Sequence, residues 1–256
     1  MYPGSIPGEA SNRPPAIGGK RAPVVDADRG RQMSIDYAAQ RVKMVDGQVR
    51  TTDVTDLRII SAMLEVPREE FVPEKLRPLA YIDEDIPLSA PQRGQPGRYL
   101  MEPSPFAKLV QLADVRADDV VLDVGCASGY SSAVLSKLSG QVIALESDSA
   151  LAKLATATLE RLGCDNVAVV EGPLTEGYAA EAPYDVVFVG GAVERVPQAL
   201  FDQLKDGGRL AVVEGHGNAG TARLYVKSGA AVAGRYAFNA AIKPLPGFEI
   251  TPEFEF

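Results

Sequence analysis

Val120-Val121-Leu122-Asp123-Val124-Gly125-Cys126-Ala127-Ser128-Gly129-Tyr130 decides how this chain is read. An apolar run broken by one acid has the pattern of a buried strand, and after the small residues, positions 131–138 have the spacing of a helix. A second apolar run, Val142-Ile143-Ala144-Leu145, ends in Glu146. Strand, small-residue loop, helix, strand, acid is the plan of a nucleotide-type cofactor site at the carboxyl edge of a parallel sheet.

Outward from this core the alternation continues. Strands are expected at 120–124, 141–145, 168–170, 185–189 and 209–213, and helices at 131–138, 151–162 and 197–204, with Asp206-Gly207-Gly208 turning into the fifth strand. Two further β-like runs, 222–226 and 232–238, are joined by Ser228-Gly229, a hairpin signal. The fold class is therefore α/β, a doubly wound and mostly parallel sheet with an antiparallel edge and helices on both faces. On the amino-terminal side, Ser34 is a candidate N-cap for a helix running to Val49, and a second helix is expected over 55–66, stopped by Pro67. These two helices are placed over the carboxyl edge of the sheet. Residues 88–105 are rich in Pro and Gly, the composition of a binding loop or of a surface insertion. Residues 1–32 have almost no apolar periodicity and read as a disordered extension, with Met33 a candidate natural start.

Composition narrows the partners. The chain has 256 residues, 46% of them hydrophobic and 23% charged, with a net charge of −8 spread along its length. That sign repels phosphate backbones, so nucleic acid is not an expected partner. Cys126 and Cys164 have no metal-like spacing, and His216 is the sole histidine, so no metal site is expected. No apolar run reaches the roughly 20 residues that cross a bilayer, and the amino terminus has no secretory h-region. A reducing cytoplasm fits this cysteine usage.

The chemistry of the loop follows from its residue types. Gly125, Ala127 and Gly129 allow a sharp turn and close approach of a ligand. The carboxylate of Glu146 suits a ribose diol, which offers it two hydroxyl donors. Dinucleotides and S-adenosylmethionine both carry such a diol. The dinucleotide pattern Gly-x-Gly-x-x-Gly is not met, whereas S-adenosylmethionine has no pyrophosphate and needs no third glycine. Asp123 either orients the loop by accepting its N–H groups or holds the methionine ammonium.

Further segments resemble a known family. Met44-Val45-Asp46-Gly47-Gln48-Val49-Arg50, Val66-Pro67-Arg68-Glu69-Glu70-Phe71-Val72-Pro73 and Ala80-Tyr81-Ile82-Asp83 are similar to the amino-terminal signature of protein-L-isoaspartate O-methyltransferases. Residues 121–135, 184–189, 196–200 and 204–210 resemble that family's cofactor motif, fourth strand, following helix and turn into the fifth strand. The resemblance implies a Rossmann-like class I methyltransferase domain over 33–256. Within it, 33–115 would hold the amino-terminal helices and substrate loop, 116–248 the cofactor-binding sheet, and 249–256 a tail. It implies S-adenosylmethionine as methyl donor, isoaspartyl protein or peptide as acceptor in protein repair, and a donor site formed by Asp123, Gly125, Cys126, Ala127, Ser128, Gly129, Tyr130, Glu146, Ser147, Gly172, Pro173 and Leu174.

Two segments depart from the family pattern. In the substrate loop, Arg98-Tyr99-Leu100-Met101-Glu102-Pro103-Ser104 puts Tyr99 and Met101 at the family's threonine and active-site serine, and Glu102 adds a negative charge. Glu171-Gly172-Pro173-Leu174 replaces a Gly-Asp-Gly whose aspartate receives the adenine amino group; one lost hydrogen bond costs on the order of 1 kcal/mol. The alternatives are a methyltransferase with another acceptor and a non-catalytic binding relative of the same fold.

Overall fold

The computed structural model describes residues 35–91, 96–215 and 219–249. The expected extension 1–32, the N-cap Ser34, His216 and all but the first residue of the expected tail lie outside the described residues. Helix α1 (Tyr37–Met44) is capped by Asp36, whose carboxylate accepts the Ala39 N–H at 2.9 Å, and it runs on through a π-helical turn, Val45–Val49. Helix α2 (Leu57–Glu65) is capped by Asp56 and ends before Pro67. Short 3-10 turns at Arg68–Phe71 and Glu74–Leu79 lead to a two-residue strand β1 (Ile86–Pro87). Its antiparallel partner is β2 (Tyr99–Leu100), and Pro103 opens helix α3 (Pro103–Ala113), where proline lacks an N–H that the helix start does not need.

The alternating half then unrolls as β3 (Val120–Val124), α4 (Tyr130–Ser136), β4 (Gln141–Glu146), α5 (Ser149–Arg161), β5 (Val167–Glu171), β6 (Tyr184–Val193), α6 (Gln198–Asp202), β7 (Leu204–Glu214), β8 (Thr221–Ser228) and β9 (Ala231–Asn239). The sheet order is β5-β4-β3-β6-β7-β8-β9, parallel through β7 and antiparallel at β8 and β9. This is the doubly wound plan expected, with its order reversing beside β3. The expected turn at 206–208 is a bulge inside β7: pairing jumps from Tyr184 with Leu204 to Val186 with Arg209.

Adjacent residues of the central strands enter opposite cores. Val121, Val142, Val186 and Ala211 join one cluster with residues of α1 to α5; Leu122, Ile143, Val187 and Leu210 join the other. Burial on both faces explains why these strands read as unbroken apolar runs. The faces are covered unequally. The second has α6, of five residues, together with Leu174 of a 3-10 turn and Leu245 and Phe248 of the chain's last described segment. The two amino-terminal helices belong to the first layer rather than over the carboxyl edge, because the apolar face of α2 (Ile59, Ile60, Met63) has the larger core to enter there. The carboxyl edge is instead approached by residues 96–101 and 242–248.

Candidate functional site

The loop after β3 turns with Gly125 at φ +80°, Ala127 at +51° and Gly129 at +94°. These three positions serve different contacts. A Cβ on Gly129 would lie 3.1 Å from Leu159 Cδ1 and 3.2 Å from Ala155 Cβ, so that glycine admits α5 rather than a ligand. A Cβ on Gly125 would lie 2.9 Å from Leu245 Cδ2 and 3.2 Å from Arg98 Nη2. The side expected to be open for a ligand is thus lined by two side chains of the chain itself.

Glu146, at the end of β4, is fully buried. Its Oε1 accepts the Ser147 and Asp148 N–H groups at 2.8 and 3.0 Å, and its Oε2 accepts the Ala127 N–H and Arg98 Nη2, each at 2.7 Å. Arg98 Nη2 also reaches the Gly125 carbonyl at 3.0 Å. A carboxylate offers about four acceptor directions, and here four short donors take them. Glu146 therefore performs the loop-orienting task that the sequence left open for Asp123. Asp123 bonds no loop N–H: its Oδ2 accepts the hydroxyls of Ser131 and Ser132 at 2.6 Å each, while Oδ1 is buried without a partner. Burial pushes its pKa up to about 6, the two serine hydroxyls pulling it partly back and Glu146 pushing it further up.

An open-sided cavity of about 490 Å³ lies beside this cluster, lined by Ser147, Asp148, Pro173 and Leu174 together with Arg98 and Gly247. It has room for a purine, and its walls fit the adenine end of an adenosyl group. Gly172 sits at the end of β5, its N–H donated to the Glu146 carbonyl at 3.1 Å. Above Gly125 the space shrinks to about 20 Å³, between Tyr99, Met101, Cys126, Ala127, Tyr130 and Ser131. That holds roughly one water. The sugar and methionine ends of the donor therefore do not fit while Arg98 holds Glu146 and Leu245 covers Gly125. Cys126 and Ser128 are both buried beneath the loop; burial raises the Cys126 thiol well above its usual range, and Ser128 Oγ has no partner. Tyr130 is a core residue, edge-on to Phe71 with ring centroids 5.7 Å apart.

The substrate-loop residues gather on the other side of the crevice. Tyr99 and Met101 face a small space shared with Asp85, Gly190 and Lys243. Lys243 Nζ lies 5.6 Å from the Tyr99 ring centroid. Glu102 donates its N–H to Asp85 at 3.0 Å. Burial raises the Glu102 carboxyl, and Asp85, Asp83 and Glu84 raise it further. Ser104 lies within the first turn of α3, half-buried, and is absent from the walls of these spaces.

Several residues that shape the site had no assigned role in the sequence. Arg68, fully buried, donates to the carbonyls of Ala80 at 2.8 Å and Met101 at 2.7 Å, and its guanidinium lies 4.8 Å from the Tyr130 centroid. The Val-Pro-Arg motif thus ties the substrate loop to the start of α4. Glu69 accepts a short hydrogen bond from Tyr81 and pairs with Arg41 at 3.2 Å. Leu245 is held by its own N–H to Ala192 at 2.9 Å, and Lys243 accepts the Ala192 N–H at 2.9 Å. An arginine inside a Pro/Gly-rich loop was the one signal available for Arg98.

Residues 39–245 match the family of protein-L-isoaspartate(D-aspartate) O-methyltransferases (PCMT). A protein-L-isoaspartate O-methyltransferase of Koribacter versatilis (strain Ellin345) is 38% identical over 179 residues, 70% of this chain and 78% of that protein. Protein-L-isoaspartate O-methyltransferase 1 of Rhodopseudomonas palustris (strain HaA2) is 36% identical over 200 residues, 78% of this chain and 77% of that one. Among solved structures, a protein-L-isoaspartate O-methyltransferase superposes with a TM-score of 0.70 at 29% identity, covering 81% of this chain and 66% of that longer one. A Plasmodium falciparum protein carrying the same family name, solved in complex with S-adenosyl-L-homocysteine, has a TM-score of 0.66 at 19% identity over 83% of this chain and 99% of its own, a likeness of fold. The enzyme class is that of the relatives, an S-adenosylmethionine-dependent methyltransferase, and the chain belongs to the protein-L-isoaspartate(D-aspartate) O-methyltransferase family.

Proposed function

We propose that this chain transfers a methyl group to a carboxylate oxygen of isoaspartyl residues in peptides and proteins, in the cytoplasm. The observation that carries the reading is the buried carboxylate of Glu146 at the end of β4, joined to the Gly125–Gly129 turn through the Ala127 N–H at 2.7 Å. Glu146 is the ribose partner, Pro173 and Leu174 flank the adenine, and Gly125, Cys126, Ala127 and Ser131 border the methionine end. When bound, the donor supplies a methyl group on a positively charged sulfur, open to in-line attack. A carboxylate acceptor is ionised at neutral pH, so the chain need supply no strong base. Its task is positioning and exclusion of water. Tyr99, Met101 and Leu245 exclude water around Gly125, and Lys243 offers the cation an anionic acceptor needs. The assay is direct: an isoaspartyl peptide with labelled S-adenosylmethionine should gain a base-labile methyl ester, and the matching aspartyl peptide should not. Equal label on both peptides, or none, defeats this acceptor.

One observation favours a second reading, a neutral acceptor. Asp83, Glu84, Asp85 and Glu102 cluster at the acceptor side, and neither Tyr99 nor Met101 brings a serine or threonine hydroxyl there. A base-stable methyl product from total protein or a small-molecule pool would select this reading.

A further inference from the structure

We propose that Arg98 is an internal competitor for the donor site: its guanidinium occupies the ribose-binding oxygen of Glu146, and the donor binds by displacing it. The inference rests on the ribose reading of Glu146 above and goes beyond it by naming what controls donor affinity. Arg98 is 5% exposed and Glu146 is fully buried, and their 2.7 Å pair joins residues 48 apart. Three of the four short donors to Glu146 are backbone N–H groups of Ala127, Ser147 and Asp148, which belong to the loops after β3 and β4 and stay wherever the side chains go. Arg98 Nη2 is the only short side-chain donor among them. It holds Oε2, the oxygen that a sugar hydroxyl would otherwise take.

The surroundings of the arginine fit this task. Its Nε is buried with no partner, so leaving this position relieves an unsatisfied donor. A buried ion pair is also weak evidence for stability, since desolvation offsets most of its attraction; specifying one of two states is the better-attested use. Leu245 completes the closure. It lies against Gly125 beside Arg98 Nη2, so the arginine and the leucine together fill the close-approach position of the turn. The remaining space there is about 20 Å³, whereas the adenine-side cavity on the far side of Arg98 is about 490 Å³. A donor can therefore dock by its base first and reach Glu146 only as the guanidinium leaves.

The test is calorimetric titration of S-adenosylhomocysteine into the full chain and its Arg98→Ala and Arg98→Met variants. Both variants leave Glu146 three backbone donors, and the methionine also keeps the apolar stem. At least tenfold tighter binding in either folded variant is expected. A crystal structure of the wild-type complex should show Arg98 Nη2 off Glu146 Oε2 with a ribose hydroxyl in its place. Wild-type binding with unchanged or weaker affinity in the variants, or a complex in which the pair persists, overturns the competitor while the donor site stands. Silence in all three proteins overturns the donor site and the competitor together, and binding that appears only in the variants supports both.

Discussion

The two walls of the crevice are built on different principles. One wall is the ends of β3 and β4 with their loops, held by the Ala127, Ser147 and Asp148 N–H groups on Glu146. The other is made of residues 96–101 and 242–248, whose backbones pair with β1 and β6 but which close on the site through single side chains: Arg98 on Glu146, Arg68 on the Met101 carbonyl, Leu245 against Gly125. A backbone-held wall resists most side-chain changes, because the donors are there whatever the residue. A side-chain-held wall can be opened by one substitution. The crevice is therefore rigid where a cofactor would be recognised and adjustable where an acceptor would enter.

The largest expected effect tests that asymmetry on one ion pair. Glu146→Ala removes the acceptor of three N–H groups and leaves Arg98 buried without its partner, a loss of about 3–5 kcal/mol. Arg98→Ala leaves Glu146 bonded to its three backbone donors and should cost about 1.5–3 kcal/mol, the worth of one hydrogen bond to a charged group. Urea unfolding of the two variants reads the difference. Equal losses would mean that the walls are not built differently after all.

The backbone-held wall was also the legible one. Its contacts are between residues adjacent in sequence or joined by one strand-turn-helix unit, and the apolar runs of β3 and β4 announce that unit. Glu146 was identifiable as the acid ending the second strand, and Gly125 as part of a sharp turn, though the side expected to admit a ligand is taken by Leu245 and Arg98. What stayed hidden depends on where distant segments fall. The pairing of Ile86 with Leu100 carries Arg98 to the crevice mouth, and no local pattern encodes it. Leu245 reaches Gly125 only because 242–248 lies along β6, where Pro244 bridges Ala192. The helices were legible to within a few residues except where tertiary contacts decide. The expected helix through Val49 loosens into a π turn after Met44, and the placement of both amino-terminal helices went to the larger core instead of the carboxyl edge.

A smaller effect separates Asp123 from Glu146, the two buried acids of the first wall. Asp123 has its pKa pushed up to about 6 from 3.8, chiefly by burial. An acid more readily protonated when folded contributes fully to stability below its unfolded pKa, and that contribution is lost as pH rises through the folded value. Between about pH 4 and pH 7 the ionised Asp123 should therefore lower stability by about 2–3 kcal/mol relative to its protonated form. Asp123→Asn does not titrate, so the stability of the variant minus that of the wild type should grow by that amount over the same window. Denaturant unfolding at pH 4 and pH 7 measures it. A difference independent of pH would mean that the Ser131 and Ser132 hydroxyls hold the carboxylate ionised throughout, making it as well supported as Glu146.

The smallest effect probes how tightly the second wall is fastened. Gly191 does not have a positive φ, so alanine meets no backbone penalty there. Its Cβ would nevertheless fall 2.7 Å from Leu245 Cγ and 3.0 Å from the Lys243 carbonyl oxygen. Leucine can rotate, but the Lys243 carbonyl is fixed by the Ala192 N–H at 2.9 Å. Gly191→Ala should therefore lift the 243–245 segment and cost about 1–2 kcal/mol, the usual scale of overpacking. Gly47→Ala is the control. It lies in the π-helical turn with nothing within 4 Å of the added methyl, and should raise stability by about 0.5–1 kcal/mol through the unfolded chain alone. Thermal melts of the pair should shift in opposite directions. If Gly191→Ala melts like the wild type, the segment gives way without cost, and Leu245 covers Gly125 by proximity rather than by a fixed register on β6.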